Sequence, residues 1–287
     1  MRIPFRLVDV FTERPLAGNQ LCVVPETPTG LHPSLMQSLA SEMGFSETTF
    51  VVGSFGDRYR MRIFTPGTEL PFAGHPTLGT AFVMVSEGRV ATPAVQEVTA
   101  GEIPVEVDVD AGFAWMQQLP PEFGPEVADR DRVARAAWLD PEDLHPDLAP
   151  QVVSTGLPQL LVPVRDESAV ARAAPDPERL SSLIDEVEAD GYYLFAFTDG
   201  GARARFFGPG VGVDEDPATG SAAGPLGIYV AERRAVAPAR LLIRQGENMG
   251  RPSELHVDVR REGDRWSVRV GGGVRPVARG EFEVPDR

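Results

Sequence analysis

Arg62-Ile63-Phe64-Thr65-Pro66-Gly67 returns 143 residues later as Arg205-Phe206-Phe207-Gly208-Pro209-Gly210, in a chain of 287 residues. A shorter pair, Gln20-Leu21-Cys22-Val23 and Gln159-Leu160-Leu161-Val162, repeats at an offset of 139. Both offsets are close to half the chain, and self-similarity at that period predicts two related domains. In each half arginine alternates with apolar side chains (Arg58, Arg60, Arg62; Arg203, Arg205), a period-two strand pattern that ends in a Pro-Gly turn. Each turn leads toward a stretch of small and apolar residues, 73–83 in the first half and 216–230 in the second. Neither stretch carries a charge after its first turn, so neither has the polar face of a surface helix. Each is predicted to be a buried helix. The expected fold class is therefore α+β, with two similar, pseudo-symmetric domains, each a sheet wrapped around a central helix.

The expected domains are 1–117 plus 271–287, and 118–270. Leu119-Pro120-Pro121-Glu122-Phe123-Gly124-Pro125 reads as the linker, and Gly271-Gly272-Gly273 as the crossing that returns a last strand to the first domain. Short strands are predicted at 6–11, 21–24, 48–52, 59–64, 105–109 and 114–116, all rich in β-branched or aromatic residues. One amphipathic helix begins at Pro33, presents Leu35, Met36, Leu39, Ala40 and Met43, and stops before Gly44.

Composition removes whole classes of chemistry. The chain has 42 Asp+Glu against 27 cationic residues, a net charge of −15, and every one of those cations is arginine. Without lysine there is no Schiff base, no pyridoxal-phosphate lysine and no phosphate-loop lysine. The acidic balance argues against nucleic acid, which demands clustered cations. Cys22 is the only cysteine, and His32, His75, His145 and His256 have no metal-ligand spacing, so neither a disulfide nor a metal is expected. No cofactor is expected. The longest charge-free stretch, 70–86, is broken by proline and glycine and is too short to span a bilayer. The first ten residues read as a strand, not a signal peptide, and the expectation is a cytoplasmic protein with no membrane partner.

Two buried helix starts rich in Gly, Thr and Ser offer free N–H groups that attract anions. Pseudo-symmetry would turn both starts toward one cleft, making a small carboxylate a natural ligand for a protein whose overall field repels anions. Titratable candidates near these starts are Glu47, His75 and Asp216. Glu47 opens a strand amid apolar residues, where a carboxylate holds its proton to higher pH and can move protons near neutrality; it also reads as an ordinary exposed strand-start residue. His75 reads equally as a hydrogen-bonded core histidine or as an acid/base. Asp216-Pro217 reads as a helix N-cap with proline at the first helical position. Ser221 is either a small helix residue or an anion contact. The alternating arginines read as a solvated or interface face, and Cys22 as a core residue.

Asp9-Val10-Phe11-Thr12 with Gly18-Asn19, Ser46-Glu47-Thr48-Thr49-Phe50, Phe64-Thr65-Pro66, Gly74-His75-Pro76-Thr77, Glu215-Asp216-Pro217-Ala218-Thr219-Gly220-Ser221-Ala222, and Gln245-Gly246 with Gly250-Arg251-Pro252-Ser253 occur in this order. Together they resemble the phenazine-biosynthesis PhzF-like isomerase family. The resemblance implies the diaminopimelate-epimerase-like fold, an α+β architecture of two pseudo-symmetric domains, each a β-barrel-like sheet wrapped around a central helix, and a homodimer. It implies that Glu47 is the general acid/base, that His75 and Asp216 orient substrate and share protons, and that Gly220 and Ser221 form a carboxylate-binding helix start. Asn19, Gly74 and Thr219 complete the implied substrate-binding set. Cysteine-dependent relatives of this fold carry thiols at the positions of Ala73 and Ala218, so two-thiol proton transfer is not available here. Gln20-Leu21-Cys22 departs from the usual form, in which proline and smaller residues follow Gly-Asn. The expectation is a cofactor-independent isomerase acting on a small cyclic or amino-acid-like carboxylate, with trans-2,3-dihydro-3-hydroxyanthranilate as the family-typical substrate. A one-base epimerase and a catalytically silent carboxylate-binding protein are the alternatives.

Overall fold

A computed structural model describes residues 1–234 and 239–284. The first part of the chain runs β1 (Arg2–Val10), β2 (Asn19–Val24), α1 (Pro33–Met43), β3 (Glu47–Phe55), β4 (Arg58–Phe64), β5 (Glu69–Leu70), α2 (Gly74–Ser86), β6 (Ala94–Val98), β7 (Gly101–Asp108) and β8 (Phe113–Gln117). The rest runs β9 (Glu122–Glu126), α3 (Arg130–Arg135), β10 (Gln151–Ser154), β11 (Pro158–Pro163), α4 (Glu167–Arg172), α5 (Pro177–Glu186), β12 (Gly191–Thr198), β13 (Gly201–Gly208), β14 (Val213–Asp216), α6 (Gly220–Arg234), β15 (Ala239–Gln245), β16 (Ser253–Glu262) and β17 (Arg265–Glu283). Two compact units result: unit 1 is Met1–Gln117 with Gly271–Arg287, and unit 2 is Gln118–Val270.

In unit 1, β17 pairs with β1, and the ladder continues through β2, β3, β4, β6, β7 and β8. The pairing of β8 with β17 closes these eight strands into a barrel. Inside it, α2 is buried from Gly74 to Met84. That burial requires close backbone approach: a Cβ on Gly79 would lie 2.6 Å from Leu21 and 2.9 Å from Val10. The helix's hydroxyls are satisfied within the barrel, Thr80 Oγ1 against Thr49 Oγ1 at 2.8 Å and Thr77 Oγ1 donating to the Ala73 carbonyl at 2.8 Å. Outside, α1 covers the sheet, with Met36, Leu39 and Ala40 packing on Val24, Phe50 and Phe64. Pro33 opens α1, and Gly44 ends it at φ 67° with its N–H donating to the Ala40 carbonyl.

Unit 2 repeats this plan strand for strand. The β2–β3 parallel, β3–β4 antiparallel, β4–β5 antiparallel, β4–β6 parallel and β6–β7 antiparallel pairings return as β11–β12, β12–β13, β13–β14, β13–β15 and β15–β16. The helix α6 stands where α2 does, between the short strand and the parallel one. Leu160, Val162, Tyr192, Leu194 and Phe207 face outward into a cluster with α3, α4 and α5. Gln159, Gly191, Tyr193 and Phe206 therefore lie on the opposite, inner face by strand alternation.

Three sequence expectations need correction. The 119–125 segment is not simply a linker: it runs into β9, whose Phe123 and Glu122 pair with Val153 and Ser154, and a register shift at Gly124-Pro125 precedes the pairing of Glu126 with Gln151. The Arg-x-Phe repeat falls on equivalent strands, β4 and β13, but the shorter repeat is out of register by one residue. Parallel pairing sets Leu21 opposite Glu47 and Gln159 opposite Gly191, so Gln159 corresponds to Leu21, not Gln20. Letter matching rewards the shared glutamine, whereas the pleat decides which residue faces the helix. Finally, Arg205 is no solvated residue. It is 8% exposed, pairs with Glu215 at 2.8 Å, and donates to the Val170 and Ala173 carbonyls.

Candidate functional site

Parallel strands β2 and β3 start at the same edge of unit 1, because α1 carries the chain back between them. Asn19 is the first residue of β2 and Glu47 the first of β3. Gly74 and His75 form the first turn of α2. These four candidates come together. His75 Nδ1 lies 3.0 Å from Asn19 Nδ2, and its Nε2 lies 3.2 Å from Glu47 Oε2. Ser46 Oγ approaches Asn19 Oδ1 at 3.5 Å, which fits the amide nitrogen being turned toward the imidazole.

Asn19 and His75 are 1% and 3% exposed, while the Glu47 side chain keeps 12%. The carboxylate is thus the member of the group that reaches out of the barrel interior. Burial pushes the His75 pKa down to about 3, against a smaller opposing pull from the backbone carbonyl of Gln20. The imidazole is neutral at neutral pH. The Glu47–His75 approach is off the hydrogen-bond line, so the two groups are close enough to hand over a proton without being locked to one another. The N-cap Ala73 has extended geometry and no capping side chain, and the helix presents the Gly74 and His75 N–H groups at its start.

Asp216, Thr219, Gly220 and Ser221 come together in unit 2. Asp216 ends β14 opposite Phe206, so it belongs to the sheet and does not cap the helix. The cap is Thr219, three residues on, whose carbonyl accepts from Ala222 and Ala223. The Asp216 carboxylate instead accepts from Thr219 Oγ1 at 2.6 Å. Pro217 sits in the intervening turn, where a Cβ on Gly246 would fall 2.5 Å from its carbonyl; only glycine lets the backbone pass there. Gly220 is held by Gln118, whose Nε2 donates to the Gly220 carbonyl at 2.8 Å.

Sequence reasoning missed the groups that fasten this start. Gln245, named only within a motif, accepts from the Thr219 N–H (3.3 Å) and from Tyr193 OH (2.9 Å). Its amide nitrogen donates to the Asp216 carbonyl (2.7 Å) and Thr219 Oγ1 (2.9 Å). Unit 1 also has a buried glutamine on the equivalent strand, two positions away, and its partners come from other places: Tyr59 OH donates to Gln96, and Gln96 Nε2 to Thr77 Oγ1 within α2, each at 2.9 Å. Neither glutamine stands out locally, Gln245 following Arg244 and Gln96 preceding Glu97, so only the fold shows that these amides are buried and hydrogen-bonded.

Cys22 is fully buried, and burial pushes its thiol up to about 12, which makes it an inert core residue. Among the described residues no three His, Cys, Asp or Glu side chains gather as a metal would require, and no helix is long and apolar enough to cross a membrane.

The chain matches the family described as phenazine biosynthesis-like protein over residues 8–280. It is 34% identical over 280 residues to trans-2,3-dihydro-3-hydroxyanthranilate isomerase of Pseudomonas aeruginosa, covering 96% of this chain and 97% of that one. Among solved structures, a PhzF-family phenazine biosynthesis protein of Bacillus anthracis superimposes with a TM-score of 0.89 at 27% identity, covering 99% and 100% of the two chains. A protein of Pseudomonas aeruginosa described as a predicted epimerase superimposes with a TM-score of 0.85 at 36% identity and the same coverage. The barrel-around-a-helix units, the ordered motifs and these likenesses agree: the chain belongs to the PhzF-like phenazine biosynthesis family, has its diaminopimelate-epimerase-like fold, and is an isomerase.

Proposed function

We propose that the protein moves a proton between two carbons of a small cyclic or amino-acid-like carboxylate without a cofactor, with Glu47 carrying the proton. The observation that supports this reading most is the buried Asn19–His75–Glu47 line, which ends in a partly exposed carboxylate 3.2 Å from a neutral imidazole. Glu47 takes a proton from a carbon activated by its neighbouring unsaturation. The electron pair left behind shifts along the π system, and the proton returns at another carbon, so the double bond moves and nothing is oxidised or reduced. His75, 3.2 Å from Glu47, is assigned the role of orienting the substrate and sharing protons with that carboxylate. Asp216 has the second orienting role; the N–H groups at Gly74, Gly220 and Ser221 are assigned to the carboxylate, Asn19 to a polar group of the substrate, and Thr219, whose hydroxyl proton is given to Asp216, to holding the Asp216 side chain in place. The relative named for trans-2,3-dihydro-3-hydroxyanthranilate makes that compound the first substrate to try.

The test is proton NMR in D₂O. Wild type is expected to place deuterium at a substrate carbon during turnover, and Glu47→Gln to slow that step by about 10³-fold or more. Undiminished deuterium incorporation in Glu47→Gln would overturn the assignment. The same spectra separate a double-bond isomer from a stereoisomer, the product an epimerase would give.

A further inference from the structure

We propose that Gln159 is a specificity-determining residue that accepts a hydrogen bond from an amine or hydroxyl of the substrate. The inference rests on reading the protein as a carboxylate isomerase, and it assigns a group in unit 2 that the proton-transfer chemistry leaves unused.

Gln159 is 1% exposed, and its Oε1 is buried without a hydrogen-bond partner among the described residues. A buried amide oxygen left unsatisfied is costly and rare in folded proteins, and a bound ligand is one way of repaying it. Its position is informative. Gln159 is on the inner face at the start of β11, opposite Gly191, the first residue of β12. In unit 1 the residue corresponding to Gly191 is Glu47, which faces Leu21.

Gly191 has no room for a side chain: a Cβ there would overlap the Phe206 ring and lie 2.9 Å from Gln159 Oε1. The Gln159 amide therefore stands over the backbone where the first half carries its carboxylate. Phe206 is paired across the ladder with Asp216, and its ring is 6.3 Å from that of Tyr193. Tyr193 in turn reaches Gln245 and hence the start of α6. So the unused acceptor and the α6 start share one face and one end of the unit 2 sheet. An acceptor that cannot titrate selects for a donor without competing for the transferred proton. A site built around such a bond discriminates strongly against analogues lacking the donor, because the acceptor is then left bare.

The experiment is calorimetric binding of four carboxylates to the intact protein: benzoate (no donor), anthranilate (amine), 3-hydroxybenzoate (hydroxyl) and 3-hydroxyanthranilate (both). Wild type is expected to bind at least one donor-bearing probe about 10-fold more tightly than benzoate, and the arm that gains identifies the donor. In Gln159→Met that preference should fall below about 2-fold, with benzoate affinity unchanged. Because Oε1 has no partner among the described residues, the Tm of Gln159→Met should be unchanged or higher, and Gln159→Leu serves as a second apolar replacement. A preference that survives both replacements, a wild type that prefers no donor-bearing probe, or a Tm lowered by more than about 5 °C in both variants would overturn the proposal. Glu47→Gln should keep the wild-type preference. If deuterium incorporation survives in Glu47→Gln while Gln159→Met loses selectivity, the proton-transfer reading fails and this one stands.

Discussion

Glu47 and Gly191 occupy the same place in two copies of one architecture, the first inner-facing residue of the strand that follows the helical crossover. In unit 1 that place holds a titratable carboxylate beside His75; in unit 2 it is bare backbone covered by the amide of Gln159. The supporting groups differ far less. Each unit has its buried helix and, on the strand after it, a buried glutamine bonded to a tyrosine and a threonine, although these side chains stand at different positions in the two copies. What differs is how firmly the helix start is held: Ala73 has no capping side chain, whereas Thr219 is fixed by Gln245 and Asp216 together. The repeat preserves the scaffold and lets equivalent positions diverge, with Glu47 on one copy and bare Gly191 under an amide on the other.

The sharpest way to break this asymmetry is to install the missing carboxylate. Gly191→Glu forces a side chain into the Phe206 ring and an unpaired charge into the interior, and it should cost about 5 kcal/mol or more in urea unfolding. If that variant folds with wild-type stability, the two positions are not sterically distinct. Next in size is the contrast between the two copies of the Arg-x-Phe motif. Both arginines pair with a glutamate of the short strand, Arg62 with Glu69 and Arg205 with Glu215. Arg205, however, is buried and holds two backbone carbonyls as well. Arg205→Ala should cost about 2–4 kcal/mol because it leaves the buried Val170 and Ala173 carbonyls without their donor and Glu215 without its cation, and Arg62→Ala under about 1 kcal/mol. Equal losses would show that burial does not separate the halves.

The smallest effect per step is the pH dependence from His75. Its folded pKa, about 3, lies below its ordinary value of 6.5, so between those values the unfolded chain binds the extra proton. His75 costs no stability above pH 6.5. It removes stability as pH falls from there toward 3, with a limiting slope of about 1.4 kcal/mol per pH unit. Replacing His75 with glutamine should remove this component of the acid-side slope in a series of urea titrations, and an unchanged slope would mean the imidazole is not held neutral by burial.

Much of this architecture is legible in the residues, for reasons that differ between elements. The absence of charge in 74–84 announces a helix with no solvent face, and Pro33 and Gly44 bracket α1 because each has a backbone preference fixed by its own covalent structure. Glu47, His75 and Asn19 were identified as candidates, but their approach depends on a parallel pairing and a crossover, which local patterns do not encode. Asp216-Pro217 carries every local mark of a helix start, yet ladder pairing with Phe206 holds Asp216 in the sheet and moves the cap to Thr219. Gln159 was visible only as a repeated letter. Its meaning depends on which face it occupies, and a shift of one residue reverses that face.

One strand carries a further consequence, in time instead of space. β17 is the last element, and only its passage beyond Gly271 supplies the strand that joins β1 to β8. Unit 1 is therefore discontinuous, and its first segment is made before all of unit 2. At about 5–20 residues per second, synthesis of the roughly 150 intervening residues leaves the first barrel open for roughly 10–30 s. During that interval β1 and β8 are bare edges, the feature through which nascent chains pair with the wrong neighbour. Unit 2 is contiguous and can close before the part of β17 beyond Gly271 emerges. The half that carries Glu47 is begun first and completed last.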